Sequence, residues 1–437
     1  MKFKIMIMAL LLVSVGIGSA VNRLPATEFV GNISYVDSGS NVQELDFYAD
    51  PSDGDMWTSI SDTWSLIAGK YVDGKIVVGP SSDTRSFLYD YATDGVDDEV
   101  QINAALTAVG KHGVVYLKNG IYNITTPIII DGYGISLIGE GMRGTKIYKV
   151  SNDASVLANR TTSGDDTSYA VDAAIIVAHP DGDYGYNNRI YDLTIRGDTS
   201  PANDIGYGIY APYSSYNDVQ NVHMLNVSYG YYADSTNWYN SLKNVWIHRC
   251  DTGVYLYPGG ITDLERVYVA YPVDYGFFIR SAHGPIHLNM CAAELSNGAT
   301  TRLYYFRDAN IVMTACRSEH SVGNIITAIG RRVVINNFAG ISLLGSSESS
   351  YYNSVLFFDY GTHTITGAYF GALSTPLATY NYRAHNGADV TAIATTMPTN
   401  GIAVPYYGGG ATLTEIGAGA GVVITNSVGT VTLDPAS

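Results

Sequence analysis

An all-β solenoid, a parallel β-helix, is the fold class this sequence predicts, and three observations predict it. Glycine recurs at Gly208, Gly230, Gly253 and Gly276, each inside one small phrase: Tyr207-Gly208-Ile209-Tyr210, Tyr229-Gly230-Tyr231-Tyr232, Thr252-Gly253-Val254-Tyr255 and Tyr275-Gly276-Phe277-Phe278. The spacing is 22, 23 and 23 residues, a period at which each repeat buries its apolar face only by stacking on its neighbours. A second register runs in phase, through Val222-His223-Met224, Val245-Trp246-Ile247 and Val267-Tyr268-Val269. Third, no helical spacing of apolar residues intrudes, and the links are rich in Asn, Asp, Ser and Gly. Residues at one position of successive coils then lie about 4.8 Å apart, so position in the repeat becomes position in space.

Residues 1–20 carry Lys2 and Lys4 ahead of the apolar run Ile5 to Val15 and the small residues Gly18-Ser19-Ala20, the order of a secretory signal peptide. The run is too short for a comfortable membrane span. Cleavage after Ala20 therefore yields a secreted or cell-surface protein, held to a membrane only where the leader stays uncleaved. Residues 21–84 form a small N-terminal β module, with a turn cluster at Asp50-Pro51-Ser52-Asp53-Gly54-Asp55 and strand-like Thr63-Trp64-Ser65-Leu66-Ile67 and Lys75-Ile76-Val77-Val78. Residues 85–380 form the β-helix, opened by a short capping helix. Residues 381–437, with Gly408-Gly409-Gly410 and the small alternating run from Gly417 to Leu433, form a Gly-rich C-terminal β tail. Such end pieces cover the open edges of a solenoid, which otherwise template aggregation.

The opening of the β-helix reads Asp94-Gly95-Val96-Asp97-Asp98-Glu99-Val100-Gln101-Ile102-Asn103-Ala104-Ala105-Leu106, then Gly113-Val114-Val115-Tyr116-Leu117-Lys118-Asn119-Gly120-Ile121-Tyr122. Asp94 or Asp97 can cap a helix whose apolar side is Val100, Ile102, Ala105, Leu106 and Val109. Together with Leu137-Ile138-Gly139-Glu140-Gly141 and Thr145-Lys146-Ile147, this stretch resembles the start of the pectate-lyase-like superfamily of right-handed β-helices, which includes rhamnogalacturonase-like enzymes, epimerase-like proteins and phage tailspikes. The resemblance is specific over residues 94–147 and general over the coils to about residue 370; Lys118 stands where that family's turn usually has proline. It implies the fold far more than an activity. The family's catalytic sets do not carry over, since His283-Gly284 lacks a preceding glycine and no Arg-x-Lys follows.

The chain holds 24 basic and 40 acidic residues, a formal net charge of −16, which argues against a nucleic-acid partner. Between Asn240 and Arg332, however, nine basic residues outnumber seven acidic ones, so an anionic ligand is repelled least there. Cys250, Cys291 and Cys316 cannot all pair within one chain, and their spacing gives no zinc pattern. Buried free thiols are the expectation, with Cys291 and Cys316 able to face each other on adjacent coils.

Strand alternation turns the two registers into candidate sites. Tyr210, Tyr232, Tyr255 and Phe278 point outward as one ladder, and His223, Trp246 and Tyr268 as a second column. These are flat faces for sugar rings, or packing surfaces for a loop or a partner subunit. Asp251 and Asp274 each stand two residues before a glycine and approach within about 5 Å on adjacent coils. Such a pair suits calcium or the two carboxylates of a retaining glycosidase, although Asp before Gly is also what a turn prefers. Arg249, two residues from Asp251, is placed to neutralise an acidic sugar or to act as base in β-elimination.

The expectation is an exported β-helix that binds and cleaves an acidic polysaccharide, as a lyase or a glycoside hydrolase. Arg249, Asp251 and Asp274 are its candidate catalytic residues, the aromatic columns its substrate surface, and Ca2+ the one cofactor suggested. A non-catalytic glycan-binding adhesin and a homotrimeric viral tailspike or tail-fibre subunit are the alternatives, the leader counting against a virion protein.

Overall fold

The computed structural model describes residues 28–36, 42–49, 56–60, 63–68, 75–83, 89–150, 157–162, 165–177, 185–197, 205–212, 214–280, 284–296, 301–322, 324–344, 354–372, 380–385, 388–393 and 412–416. The expected leader and most of the expected Gly-rich tail lie outside the described residues. Glu28–Val36, Val42–Ala49, Met56–Ile60 and Thr63–Ala68 make an antiparallel four-stranded sheet in sequence order. From Lys75 onward the stack pairs in parallel, each strand lying on its equivalent one coil away, while Leu157–Thr162 and Asp165–Ala170 form a separate antiparallel hairpin. Lys75–Gly79, at the end of the leading module in sequence, is the first of these rungs, against Val114–Leu117. Beyond residue 380 the pairing continues through Asp389–Ile393 and Thr412–Ile416.

Each coil contributes to three faces. On the first, Ile76, Val115, Leu137, Ile190, Val219 and Leu242 stack in register. On the second the column is Tyr122, Ile147, Ile195, Met224, Ile247, Val269 and Ala293. On the third it is Ile128, Ile175, Ile209, Tyr231, Val254, Phe277, Tyr304 and Ile326. All of these side chains are buried, in one core that runs along the stack. Burying an aliphatic side chain contributes about 1.5–3 kcal/mol, so the columns hold together coils that could not fold alone. Where the second face shrinks to Ala293, the third supplies bulk: Phe277 and Tyr304 stack at 5.0 Å. The Tyr304 hydroxyl reaches across to the carbonyls of Cys291 at 3.1 Å and Arg317 at 2.7 Å.

Left-handed residues turn the corners. Between the first and second faces the column is Asp192, Asn221, Asn244, Arg266, Met290, Ala315 and Asn337, with φ between 52° and 58°. Asn and Asp enter this region most readily, and here they also tie coils together: Asn221 Nδ2 donates to Asp192 Oδ1 at 2.9 Å and Asn244 Nδ2 to Asn221 Oδ1 at 2.7 Å. Between the second and third faces the column is Asn226, Arg249, Tyr271, Leu295 and His320, with φ between 52° and 60°. The repeating glycines have another cause. None of the four is left-handed, but a Cβ at Gly208, Gly230, Gly253 or Gly276 would meet the carbonyl oxygen of the next coil at 2.8, 2.6, 2.6 or 2.5 Å.

The expected capping helix spans Glu99–Val109 and buries Ile102, Ala105 and Leu106. Two details differ from expectation. The capping position is Asp98 rather than Asp94 or Asp97, and its carboxylate accepts from the N–H groups of Gly95 at 2.6 Å and Asn123 at 2.7 Å. It thus ties the helix to a strand of the first coil instead of closing its own first turn. Val100 faces solvent instead of the core. All three cysteines are free and buried. Cys291 and Cys316 share neighbouring rungs, since Asn289 pairs with Thr314 and Ala292 with Arg317.

Candidate functional site

On the third face, Tyr210, Tyr232, Tyr255 and Phe278 occupy successive rungs, and Tyr305 extends them. Successive ring centroids lie 5.5, 4.4, 4.7 and 5.0 Å apart, with interplanar angles of 22°, 9°, 2° and 16°. Each ring therefore covers its neighbour's face; Tyr210, expected to stand exposed, is buried with Val171, Ala173 and Ile176, Tyr305 is buried as well, and the half-buried Tyr232, Tyr255 and Phe278 offer only edges outward. Tyr207 and Tyr229 meet Tyr232 edge-on, as Tyr275 meets Phe278. Burial pushes the Tyr232 and Tyr255 phenols above their usual range.

The second face is built differently. His223, Trp246 and Tyr268 occupy successive rungs, but their rings stand at 75° and 67° to one another with centroids 6.3 and 6.2 Å apart. Trp246 is 40% exposed. Strand alternation brings His248 out two residues beyond Trp246, with its ring 5.0 Å from His223 and 5.6 Å from Tyr268. One rung past Ala270 stands Glu294, whose side chain is only 8% exposed. Tyr268 donates to its Oε2 at 3.1 Å, and Arg317 Nε lies 2.9 Å from its Oε1.

Burial, and then His248, pushes the His223 imidazole down to about 4. Burial, and then Arg249, lowers His248 as well. Both rings are thus neutral at neutral pH, and the Nε2 atom of each is buried without a hydrogen-bond partner. Burial, and then Glu294, pushes the Tyr268 phenol up to about 12, so it remains a donor to the carboxylate.

The residues flanking Cys250 adjoin this face. Arg249 is exposed at the left-handed corner, with φ 55°. Past it the strands bulge: Cys250 pairs with Pro272 and Thr252 with Tyr275, so Asp251 opposes the two residues Val273 and Asp274. Asp251 is half-buried and Asp274 exposed. After burial, these two carboxylates and then Tyr275 raise the Tyr229 phenol above its usual range. Among the described residues no group of three or more His, Cys, Asp or Glu side chains converges as a metal-binding set.

No family model matches this chain, and no curated protein matches it. Solved structures do. The gp42 tailspike of Acinetobacter phage vb_AbaP_AS12 aligns over 96% of this chain and 77% of its own, with a TM-score of 0.65 at 16% identity. A mutant of the DFA-IIIase of Arthrobacter chlorophenolicus A6, in complex with DFA-III, aligns over 82% of this chain and 99% of its own, with a TM-score of 0.57 at 13% identity. The chain is a parallel β-helix.

In this β-helix the structure groups His223, Trp246 and Tyr268 with three residues that the sequence reading leaves out, His248, Glu294 and Arg317. His248 is within reach of strand alternation, being two residues past Trp246. Glu294 and Arg317 are not, because their coils carry Cys291-Ala292-Ala293 and Cys316-Arg317-Ser318 where the earlier coils carry a valine, an aromatic or His, and another apolar residue.

Proposed function

We propose that this β-helix is an exported protein that binds an acidic polysaccharide along its second face and cleaves it beside the corner at Arg249. One observation supports this reading above the others: Glu294 is a nearly buried carboxylate on an outward column, held between Tyr268 and Arg317, within a cluster that also presents an exposed indole. Burying a carboxylate costs several kcal/mol unless it is well paired, and on earlier coils of the same face the His223 and His248 Nε2 atoms are left unsatisfied. Trp246 would take the apolar face of a ring, and Arg317 and Arg249 would meet uronate carboxylates.

Glu294, held by Tyr268 and Arg317, positions the glycan on the second face. Asp251 and Asp274, which oppose one another across the bulge, are the two carboxylates a retaining hydrolase would use. Arg249 would serve the elimination route instead. Calcium, if used, would begin with Asp251 and Asp274 and need oxygens of the glycan to complete its shell.

The test is incubation with acidic and neutral polysaccharides, with calcium or a chelator, reading unsaturated products by ultraviolet absorbance and new chain ends by a reducing-sugar assay. Products from an acidic glycan, reduced about a hundredfold or more in Glu294→Gln and Asp251→Asn, are expected. Failure of every acidic glycan to bind would overturn the reading. Binding without product would favour the adhesin. A homotrimer in light scattering would favour the tailspike form, to which the 96% coverage by a tailspike structure lends support.

A further inference from the structure

The chain of 437 residues holds three cysteines, and two of them fall on one position of neighbouring coils. Asn289 pairs with Thr314 and Ala292 with Arg317, so Cys291 and Cys316, between those pairs, stand in register. The column they interrupt opens the second face and is otherwise apolar. Val222, Val245 and Val267 precede them and Phe338 follows, all buried in the core. Packing accounts for a small apolar side chain at each of the two places, but not for sulfur at both.

The two side chains point along the stack towards each other's coils. Cys316 Sγ lies 3.3 Å from the carbonyl oxygen of Leu288, on the coil that carries Cys291. Cys291 Sγ lies 3.3 Å from that of Leu264, one coil further back. The two thiols also hydrogen-bond to one another, which holds Cys316 below the usual thiol range, while burial pushes Cys291 well above it. In-register neighbours on parallel strands lie about 4.8 Å apart, inside the roughly 4.4–6.8 Å between the Cα atoms of a disulfide. Rotation of the Cys291 side chain away from the Leu264 carbonyl is the motion that closes the remaining gap between the sulfurs. Cys250 is the contrast. It is also buried, but its rung neighbours are Val227 and Pro272, so no sulfur stands in register with it.

We propose that Cys291 and Cys316 form a disulfide between coils, clamping the part of the second face that holds Glu294. Arg317 directly follows Cys316 and Glu294 stands three residues past Cys291, so the ion pair between them spans the same two coils that the bond joins. The Cys316 thiolate attacks a small disulfide such as oxidised glutathione and releases one thiol. The Cys291 thiolate then attacks the Cys316 sulfur of the mixed disulfide and releases the second. The protein thiols together give up two electrons and two protons, and the oxidant becomes two thiols. Both sulfurs are buried in the finished fold, so the exchange belongs to folding, before the coils close. Its occurrence in the cell rests on the export proposed above, because disulfides persist in oxidising compartments.

The test refolds the full chain in oxidised glutathione, unfolds it in urea, alkylates it with iodoacetamide and digests it with trypsin for mass spectrometry. Refolding supplies its own oxidant, so the result stands apart from whether the chain is exported. Alkylation should be confined to Cys250, and the Cys291 and Cys316 peptides should travel as one species, lighter than their sum by a pair of hydrogens. The reduced chain should melt about 5 °C below the oxidised one, a difference that Cys250→Ala keeps and Cys316→Ala removes. Alkylation of all three cysteines would overturn the proposal. So would a linkage to Cys250, or a melting difference that Cys316→Ala retains. Should refolding fail, the same digest of chain produced in a bacterial periplasm decides in its place, with the same outcomes.

Discussion

Tyr232, Tyr255 and Phe278 on the third face and His223, Trp246 and Tyr268 on the second belong to the same three coils and succeed one another rung by rung. On the third face the rings are alike in size and lie within 9° of parallel. On the second they differ in size and chemistry and stand at 67° and 75°. Like rings one rung apart satisfy each other, because each face finds a matching face. Unlike rings leave remainders: an exposed indole, two imidazole nitrogens without partners, and room for a carboxylate. Faithful repetition in this solenoid makes stability, and interrupted repetition makes a place for a ligand.

The sharpest way to break that comparison is to push the third-face rungs apart. A Cβ at Gly253 would lie 2.6 Å from the Gly276 carbonyl oxygen and 2.6 Å from each Val269 methyl, and none of these can yield without disturbing a ladder. Gly253→Ala should lower stability by about 3 kcal/mol, at the upper end for overpacking, seen as a lower urea midpoint. A change of a few tenths would mean that the rungs are not held so closely. Next in size is the contrast between Tyr255→Ala and Trp246→Ala. Tyr255 is stacked on both faces, and its loss should cost about 2 kcal/mol, whereas loss of the exposed Trp246 should cost less than about 1 kcal/mol. Glycan affinity should respond in the reverse order. Equal stability losses would erase the distinction between the faces.

The same contrast explains what the sequence makes legible. The glycine register is visible because backbone approaches backbone at those rungs, and no other residue fits. It stops at Leu303, which stands beside Gly276 in the next coil, so the rungs at Tyr304 and Ile326 carry no such mark. The outward columns follow from strand alternation, yet whether rings stack or splay depends on rotamers that spacing does not encode. Glu294 is hidden for another reason, since the small apolar Ala292 and Ala293 before it read as core. The Asp98 carboxylate finds its partner Asn123 a full strand away, so proximity in sequence points to the wrong cap. Tyr216 and Tyr239 turn corners in a conformation that their residue type disfavours, leaving no local turn signal to read.

A smaller effect separates the two faces without disturbing either. On the second face the native His223 imidazole titrates near 4 because it is buried beside His248, against about 6.5 in the unfolded chain. Between those values the unfolded chain binds a proton that the native ring refuses, so stability falls as pH drops from about 6.5 towards 4. On the third face the buried phenols of Tyr232 and Tyr255 titrate above their usual value of 10.0. The unfolded chain then loses protons that the native chain keeps, and stability falls as pH rises past about 10. The acid limb therefore belongs partly to the second face, with buried His363 contributing to it as well, and the alkaline limb partly to the third. Urea midpoints measured across both windows should show His223→Gln flattening only the acid limb. Tyr232→Phe, which keeps the stacked ring, should flatten only the alkaline one. An acid limb left unchanged by both His223→Gln and His248→Gln would mean that these rings are not held neutral.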